Sequence, residues 1–334
     1  MTDLRSIIRD TFPRKTVVVV GDIVGDQFLS GTISRVSREA PVFILRHDET
    51  VTLPGGAANA AVNVASLGGR AIMIGVAGRD EAGDMLIGSL DTMGVDPANI
   101  SRSPEIKTTT KVRVLAGQHY AARQQVIRID YENRAPLGDN VRAELRNALG
   151  SAADIADAII ISDYNYGAVF PEIIEDALSL SGQRGIPLVV DSRYRLKQLA
   201  NATTATPNRE EVEQILGANF TPDQCSELRE QLGLKALLVT NGNQGMSLFE
   251  AGRPEVRIPA VGPIEPVDVT GAGDTVIAAY ALALASGLSF EEAANVANHA
   301  GGIVVMKKGT AAAFADELVR SLAGEPGSLS SHAK

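Results

Sequence analysis

Hydrophobic and polar positions follow two different periods along this chain. Short runs that are almost wholly apolar, most of them rich in Val or Ile, occur at 16–20, 71–76, 158–161, 188–190 and 237–239. Runs of this length are typical of strands that are covered on both faces, as in parallel sheets. Segments with a helical period lie between them, at 57–67, 81–93, 140–151, 171–183 and 209–216. The alternation predicts an α/β fold: a doubly wound, mostly parallel sheet with helices on both faces.

Two stretches, 28–46 and 106–130, interrupt this alternation, because each has strand-like composition without an intervening helix. Within the second stretch, 108–115 and 124–129 predict an antiparallel pair of strands. Strands inserted at one edge of an α/β domain can form a lid or a dimer surface. We therefore predict one domain over 1–322 with β-lid insertions at about 28–46 and 106–130, and a disordered tail over 323–334.

Composition narrows the class of protein. The chain has 334 residues, 45% of them hydrophobic, which is enough for one large domain or two small ones. A net charge of −9 argues against a nucleic-acid partner, which demands a basic surface. The single cysteine, Cys225, suits a reducing compartment. Neither a signal peptide nor an apolar run of the roughly 20 residues that span a bilayer is evident. We expect a cytoplasmic protein without a membrane partner.

The motif with the clearest chemistry is Thr270-Gly271-Ala272-Gly273-Asp274. An Ala-rich, apolar segment follows at 275–287 and ends in glycine, which predicts a buried helix. The glycines then lie at the helix N-terminus, where unpaired amides and the helix dipole favour an anion such as a phosphoryl group. An aspartate in the first turn can accept the proton of an attacking hydroxyl. The alternative is a simple glycine turn in which Asp274 only begins the helix.

Two further motifs suit a polyhydroxylated ligand. Gly55 and Gly56 open another apolar helix, and Asn59 in its first turn can both donate and accept hydrogen bonds. A glycine pair alone is equally typical of a structural turn. Asp22 and Asp26 follow the first predicted strand, at the edge where open α/β sheets bind ligands. Their carboxylates could hold sugar hydroxyls, or Asp22 could cap a turn.

A fourth motif, Asn208 followed by Glu211, has the pattern of a helix capping box. The turn at 240–245 follows a predicted strand and could pass close to nucleotide phosphates. Several patterns are missing from the sequence. It has no G-x-x-x-x-G-K-[ST] phosphate loop, no G-x-S-x-G nucleophile elbow, no G-x-G-x-x-G after the first strand and no histidines at metal-ligand spacing. P-loop enzymes are therefore excluded, and a nicotinamide dehydrogenase is disfavoured.

The order and separation of Gly55-Gly56…Asn59 and the 268–274 stretch resemble the ribokinase-like (PfkB-type) carbohydrate kinase family, from about residue 16 to 314. The resemblance implies a ribokinase-like α/β domain with a small β-lid. It also implies transfer of a phosphoryl group from ATP to a sugar hydroxyl, with Mg²⁺ and in some members a monovalent cation. A non-catalytic sugar or nucleotide sensor on the same fold is the alternative from another class.

The resemblance assigns three groups of site residues. The catalytic group is Asp274 as general base, with the amides of Gly271, Ala272 and Gly273 as the anion hole. The nucleotide group is Asn208 and Glu211, which match the N-x-x-E motif that organises Mg²⁺, with Thr240 and Gly242 along ATP and Asn298 near adenine. The sugar group is Asp22, Gly55, Gly56 and Asn59. Glu211 is the predicted metal-binding residue.

Within the family, the chain is similar to the bacterial D-glycero-β-D-manno-heptose 7-phosphate kinases at 31–41, 110–115, 124–130, 162–164 and 308–310. Basic residues in or near these segments could meet a sugar phosphate; they are Arg35, Lys111, Arg113, Arg128 and Arg193. The chain has Asn165-Tyr166 where those enzymes usually have Ala-Lys, and Ser192-Arg193 where they usually have Pro-Lys.

Fructose 6-phosphate, a free sugar or a nucleoside are the alternative acceptors. The predicted lid strands suggest a homodimer. Some relatives carry a C-terminal nucleotidyltransferase domain, for which we expect no room within the 334 residues.

Overall fold

The computed structural model of the protein describes residues 3–118, 123–133, 135–262 and 265–325. The strands are β1 Thr16–Gly21, β2 Ile23–Val36, β3 Phe43–Gly56, β4 Arg70–Gly78, β5 Ile100–Ser103, β6 Thr110–Gly117, β7 Gln124–Tyr131, β8 Ala158–Asp163, β9 Leu188–Ser192, β10 Thr204–Ala205, β11 Ala236–Thr240, β12 Met246–Glu250 and β13 Val256–Ile258. The helices are α1 Leu4–Ser6, α2 Ala57–Ser66, α3 Glu81–Thr92, α4 Asp139–Ala153, α5 Pro171–Arg184, α6 Arg209–Leu216, α7 Pro222–Gln231, α8 Ala272–Ala285, α9 Phe290–Val304 and α10 Ala315–Leu322.

Nine strands form the main sheet, in the order β13-β12-β11-β10-β9-β8-β1-β4-β5. Every neighbouring pair from β11 to β5 is parallel, and β12 and β13 add an antiparallel edge. The five apolar runs of the sequence lie in β1, β4, β8, β9 and β11. The predicted doubly wound, mostly parallel sheet is therefore confirmed.

The continuous apolar character of these strands follows from burial on both faces. In β1, Val17 and Val19 belong to the core layer that contains α2, α8 and α9. Val18 and Val20 point the other way, into the layer that contains α4 and α5. Because successive side chains of a strand alternate between faces, only an unbroken run of apolar residues can fill both layers.

The small sheet has four strands in the order β3-β2-β6-β7 and stands apart from the main sheet. Strands β2 and β3 each have 14 residues and pair antiparallel, whereas β2 and β6 pair parallel. The predicted 28–46 stretch overlaps β2 and β3, which begin earlier and end later, at Ile23 and Gly56. The described part of the predicted 106–130 stretch includes β6 and most of β7, which ends at Tyr131. A single residue, Asp22, separates β1 from β2, so the chain passes directly from the main sheet into the small sheet.

The predicted helices correspond to α2, α3, α4, α5, α6 and α8, and α8 is buried over most of its length. Helices α1, α7, α9 and α10 were not among the predictions. Two of them carry a signal that could have found them, because Thr221 with Gln224 and Ser289 with Glu292 form capping boxes. Of the predicted disordered tail, 326–334 lie outside the described residues. Among the described helices, none has the length and apolar character that a bilayer crossing requires.

Candidate active site

The site is built where α8 begins, at the carboxyl edge of the main sheet. Gly271 precedes the helix with a φ of +78°, a conformation that glycine adopts without strain. A Cβ atom at this position would lie 2.5 Å from Nδ2 of Asn59, on α2. Position 271 therefore requires glycine for two reasons: the backbone conformation and the close approach of Asn59.

The first turn of α8 presents open backbone amides. In the part of the chain that the structure describes, the N–H groups of Gly273 and Asp274 have no hydrogen-bond partner, as expected at a helix start. A Cβ atom added to Gly273 would meet nothing within 4 Å, so this turn faces open space. The amide of Ala272 differs from the prediction, because it already donates to the carbonyl oxygen of Val269 at 3.2 Å.

Asp274 is 3% exposed, and each of its carboxylate oxygens has one side-chain donor. Asn59 Nδ2 donates to Oδ2 at 2.9 Å, and the Tyr164 hydroxyl donates to Oδ1 at 2.7 Å. Burial raises the pKa of Asp274 to about 6, although both hydrogen bonds act to lower it. Asn59 is itself held by Asn63, whose Nδ2 donates to Asn59 Oδ1 at 3.1 Å. The result is an oriented carboxylate that is ionised, and hence basic, above about pH 6.

Asp22 fixes the loop that carries Tyr164. Asp22 is 2% exposed. Its carboxylate accepts hydrogen bonds from the backbone amides of Tyr164 at 2.8 Å, Tyr166 at 3.0 Å and Ala168 at 2.8 Å. Its oxygens thus organise residues 164–168, and this favours the turn-capping interpretation over direct contact with a sugar. A Cβ atom at Gly56, where φ is +58°, would lie 2.7 Å from the Asp22 carbonyl oxygen.

Asp26 is also engaged within the protein. It forms an ion pair with Arg113 of β6 and accepts a hydrogen bond from Thr310 Oγ1 at 2.9 Å. A Cβ atom at Gly55 would lie 2.6 Å from Asp26 Oδ2, so that glycine provides the space for the carboxylate. The roles of Gly55 and Gly56 in sugar binding stay predictions; what the structure gives them is close packing against Asp26 and Asp22.

Two cations beside Tyr164 have no ion pair among the described residues. Lys111 Nζ lies 5.6 Å from the centre of the Tyr164 ring and 5.8 Å from that of Tyr166. The Arg193 guanidinium lies 5.9 Å from the centre of the Tyr164 ring. Burial and the nearby charge of Arg193 lower the pKa of Lys111. Arg128, by contrast, forms a two-fold hydrogen-bonded ion pair with Asp130, at 2.9 and 3.0 Å.

A groove beside α8 is lined by three of the five residues that the family resemblance assigned to the nucleotide and by Gly273 of the catalytic group. Thr240, Gly242, Gly273 and Asn298 line it, together with apolar residues such as Val261 and Val276. A Cβ atom at Gly242 would have no neighbour within 4 Å, which leaves this wall of the groove open. The amide of the Asn298 side chain donates to the Pro259 carbonyl oxygen at 2.7 Å. Four residues from three distant parts of the sequence thus face one space.

Asn208 and Glu211 form the capping box of α6. The Glu211 amide donates to Asn208 Oδ1 at 2.9 Å, and the Asn208 amide donates to Glu211 Oε2 at 2.8 Å. Burial raises the pKa of Glu211, and burial together with the Glu211 carboxylate raises that of Asp191 well above its usual range. Within the described residues, no cluster of three or more His, Cys, Asp or Glu side chains is placed to hold a metal ion.

Sequence reasoning missed Tyr164, Asp191 and Thr310 as site residues. Tyr164 and Thr310 lie in segments that carry the family resemblance, and Asp191 lies in β9 immediately before Ser192-Arg193. The signal for two of them was position, because Tyr164 follows the carboxyl end of β8 and Asp191 lies near that of β9. Side chains at this edge converge on the ligand in open α/β sheets.

An oriented carboxylate with a pKa of about 6 can take the proton of a hydroxyl, and open amides in the same helical turn can stabilise a phosphoryl group. These are the requirements of a phosphotransferase with an alcohol as acceptor. Comparison with protein families agrees and is more specific: residues 14–317 match the pfkB family carbohydrate kinases, and the chain belongs to this family. The predicted family and the predicted carbohydrate kinase activity are confirmed.

Curated relatives extend over nearly the whole chain. Bifunctional protein HldE of Caulobacter vibrioides is 39% identical, over 98% of this chain and 68% of its own length. Bifunctional protein HldE of Pseudomonas aeruginosa is 39% identical, over 95% of this chain and 65% of its own length. The chain thus spans about two thirds of the length of these relatives.

Solved structures resemble the fold at low sequence identity. Phosphofructokinase-2 from Escherichia coli in complex with fructose-6-phosphate is 21% identical, with a TM-score of 0.73 and coverage of 93% of this chain and 98% of that chain. Arabidopsis thaliana ribokinase complexed with ribose and ATP is 22% identical, with a TM-score of 0.69 and coverage of 92% and 98%. The ribokinase-like fold is thereby confirmed.

Proposed function

We propose that this protein transfers the γ-phosphoryl group of ATP to a sugar that already carries a phosphate, most specifically D-glycero-β-D-manno-heptose 7-phosphate, giving the 1,7-bisphosphate. The observation that carries this choice of acceptor is the pair Lys111 and Arg193. Two neighbouring arginines already have carboxylate partners, since Arg113 pairs with Asp26 and Arg195 with Asp163. Lys111 and Arg193 are left to bind an anion, and they flank the tyrosine whose hydroxyl contacts Asp274.

The similarity of segments 110–115 and 162–164 to heptose 7-phosphate kinases supports the same acceptor. The first segment contains Lys111, and the second contains Tyr164. Arg193 replaces the usual lysine of those enzymes and keeps the positive charge, with a planar guanidinium that can bind a phosphate through two hydrogen bonds. Tyr166 replaces their second lysine, so this chain meets the acceptor phosphate with fewer cations.

The chain's own residues account for the proton and for the charge of the transferring group. The acceptor hydroxyl gives its proton to Asp274, which is kept in place by Asn59 and Tyr164. The open amides of Gly273 and Asp274 and the N-terminus of α8 lie where negative charge develops on the phosphoryl group. Thr240, Gly242 and Asn298 line the groove that receives the nucleotide.

Mg²⁺ fits the acidic pair beside this groove. Burial and the nearby Glu211 carboxylate raise the pKa of Asp191, and a divalent cation would stabilise both carboxylates in their charged form. Two protein carboxylates with phosphate and water ligands are a common set for Mg²⁺, which rarely uses a larger protein cage. Bound there, the ion would neutralise charge on the ATP phosphates.

Dependence on ATP and a single, buried thiol both suit a cytoplasmic location.

The small sheet supports a homodimer as the working form. Large apolar side chains on it or next to it are more than a third exposed; they are Val36, Val42, Phe43, Val51, Val126, Ile127, Ile129 and Tyr131. Exposed apolar surface of this kind often marks a site of interaction with another protein. A second copy of this chain would cover it with the same apolar residues, as a two-fold interface requires.

We expect the wild-type protein to have twice the 35.1 kDa mass of the chain in solution, and the Ile127→Asp/Ile129→Asp variant to have the mass of one chain. Two carboxylates on β7 cannot be desolvated in an apolar interface without partners. Light scattering after gel filtration measures both masses. Ile155→Asp, which changes an exposed apolar residue outside the small sheet, is the control that should remain dimeric. A wild-type mass of one chain would contradict the proposal.

The acceptor is tested by ADP release across a panel: heptose 7-phosphate, fructose 6-phosphate, free mannose and adenosine. We expect heptose 7-phosphate to give the highest kcat/KM. In Arg193→Ala, we expect KM for phosphorylated acceptors to rise about 10- to 100-fold, the effect of losing a hydrogen bond between charged groups, with free sugars unaffected. Arg146→Ala removes an arginine that is paired with Asp176 on the helical surface and serves as control.

Two results would contradict the proposed function. Equal use of free and phosphorylated sugars by the wild-type protein would remove the assigned role of Lys111 and Arg193. No ADP release with any acceptor would favour a non-catalytic sensor on this fold.

A further inference from the structure

We propose that Tyr164 is a positioning residue of the phosphoryl transfer, which holds the Asp274 carboxylate in the orientation that meets the acceptor hydroxyl. This inference rests on the proposed function. It concerns a residue that lies 110 positions before Asp274 in the sequence. The Asn59 side chain, 215 positions away, is the other donor to the same carboxylate.

The two donors bind different oxygens of the Asp274 carboxylate. Tyr164 Oη donates to Oδ1 at 2.7 Å, and Asn59 Nδ2 donates to Oδ2 at 2.9 Å. A carboxylate oxygen can accept two hydrogen bonds, so each oxygen keeps capacity for one more. With both oxygens held, the plane of the carboxylate is fixed. The remaining capacity is then available to the acceptor hydroxyl.

The backbone and the ring of Tyr164 are both confined by their neighbours. Its backbone amide donates to Asp22 at 2.8 Å, which ties the loop to the joint between β1 and β2. Lys111 and Arg193 flank the ring at 5.6 and 5.9 Å from its centre. At Gly56 a Cβ atom would lie 3.4 Å from ring atom Cδ2, so the main chain of β3 closely approaches the ring. A side chain so confined can orient its neighbour.

The hydroxyl of Tyr164 stays a donor throughout the working pH range. Burial and the negative charge of Asp274 raise the pKa of the phenol well above its ordinary value. Apart from the neutral Asn59, which lowers the pKa of Asp274 through its hydrogen bond, the other groups that act on Asp274 carry charge: Asp26 raises its pKa and Lys111 lowers it, and Asp191 lies near enough to interact with it. Tyr164 is neutral, so its hydroxyl can be removed without changing any of these charges.

The test is the pH dependence of kcat/KM for Tyr164→Phe, with the best acceptor of the panel. The wild-type enzyme should lose activity as the pH falls through about 6, because Asp274 becomes protonated. Removing a donor to the ionised carboxylate raises the pKa of Asp274. In Tyr164→Phe this acidic limb should therefore move up by about one to two pH units, with kcat affected more than KM for ATP.

Tyr166→Phe is the matched control. Tyr166 belongs to the same loop and also lies near Lys111, but its hydroxyl is 3.4 Å from Glu132 instead of touching Asp274. Its removal should leave the acidic limb at the wild-type position. Nucleotide binding measured by calorimetry shows whether each variant is folded.

A second variant tests the opposite direction. A 3-fluorotyrosine placed at position 164 keeps the ring and the hydroxyl and is a stronger hydrogen-bond donor, so the acidic limb should move to lower pH. An unmoved limb in this protein overturns the proposal, even if Tyr164→Phe does not fold. So does a folded Tyr164→Phe enzyme whose only defect is a higher KM for the acceptor at every pH.

The outcomes separate this inference from the proposed function. If the wild-type protein transfers no phosphoryl group to any acceptor, both fail together. If it is active and the acidic limb does not respond to the Tyr164 hydroxyl, only the positioning role fails.

Discussion

Asp274→Asn is expected to lower turnover by about 10²- to 10⁴-fold, the usual contribution of a general base. An amide cannot take the hydroxyl proton, whereas the position of the side chain should change little. Its oxygen can still accept a hydrogen bond from Asn59 or Tyr164, which donate to the two carboxylate oxygens in the native protein. Affinity for ATP should be nearly intact, because Asp274 is not among the residues that line the nucleotide groove.

The measurement is single-turnover phosphoryl transfer together with calorimetric titration of nucleotide. Asp223→Asn changes an exposed aspartate on α7 and should retain wild-type values for both. Wild-type turnover in Asp274→Asn would show that another group accepts the proton, and the mechanism would have to be abandoned. A joint loss of turnover and nucleotide binding would instead indicate structural damage at the start of α8.

Gly273→Val is expected to reduce kcat/KM for ATP by about 10²- to 10³-fold, comparable to the loss of an anion-stabilising donor. A Cβ atom there meets no protein atom within 4 Å, so the added side chain extends into the groove that Thr240 and Gly242 also line. It would occupy the space in front of the open amides. The melting temperature should not fall, since glycine is a poor helix former and nothing in the protein is displaced.

Gly182→Val on α5 is the control for the helix substitution itself, because a Cβ atom at Gly182 is equally unobstructed and lies far from the site. It should leave kcat/KM unchanged. Thermal unfolding with and without ATP shows whether each variant is folded and binds the nucleotide, and steady-state kinetics then measures kcat/KM for ATP. If Gly273→Val folds, binds ATP and turns over like the wild type, the nucleotide phosphates do not approach the first turn of α8.

Much of the fold could be predicted because the main sheet is buried on both faces. Strand β1 needs an apolar side chain at each of positions 17–20, and that requirement is visible as an unbroken run of four valines. The same holds for α8, which is apolar all round because it is surrounded by protein. The small sheet is harder to predict from periodicity. Its strand β7 is exposed along its whole length, so no buried face imposes a pattern on it.

The candidate site was predictable only in part. Gly271, Gly273 and Asp274 are adjacent in sequence, so their chemistry can be inferred from one helix start. The partners of Asp274 lie 110 and 215 positions away, and no local pattern connects them. Nor does residue type reveal that Asp22 uses its oxygens on backbone amides. The pairing of Arg128 with Asp130 was within reach, because residues two apart on a strand share a face.

Only one residue lies between β1 and β2, so the chain passes from the main sheet into the small sheet at Asp22. The amides that this carboxylate accepts belong to the loop that carries Tyr164. An insertion, a deletion or a bulky residue at this joint therefore disturbs the Tyr164 contact with Asp274 and the start of the small sheet at once. In proteins of this architecture, sequence divergence is therefore constrained at this joint. Substitutions far along the 14-residue strands β2 and β3 leave these contacts intact, whereas the joint at Asp22 has little freedom to vary.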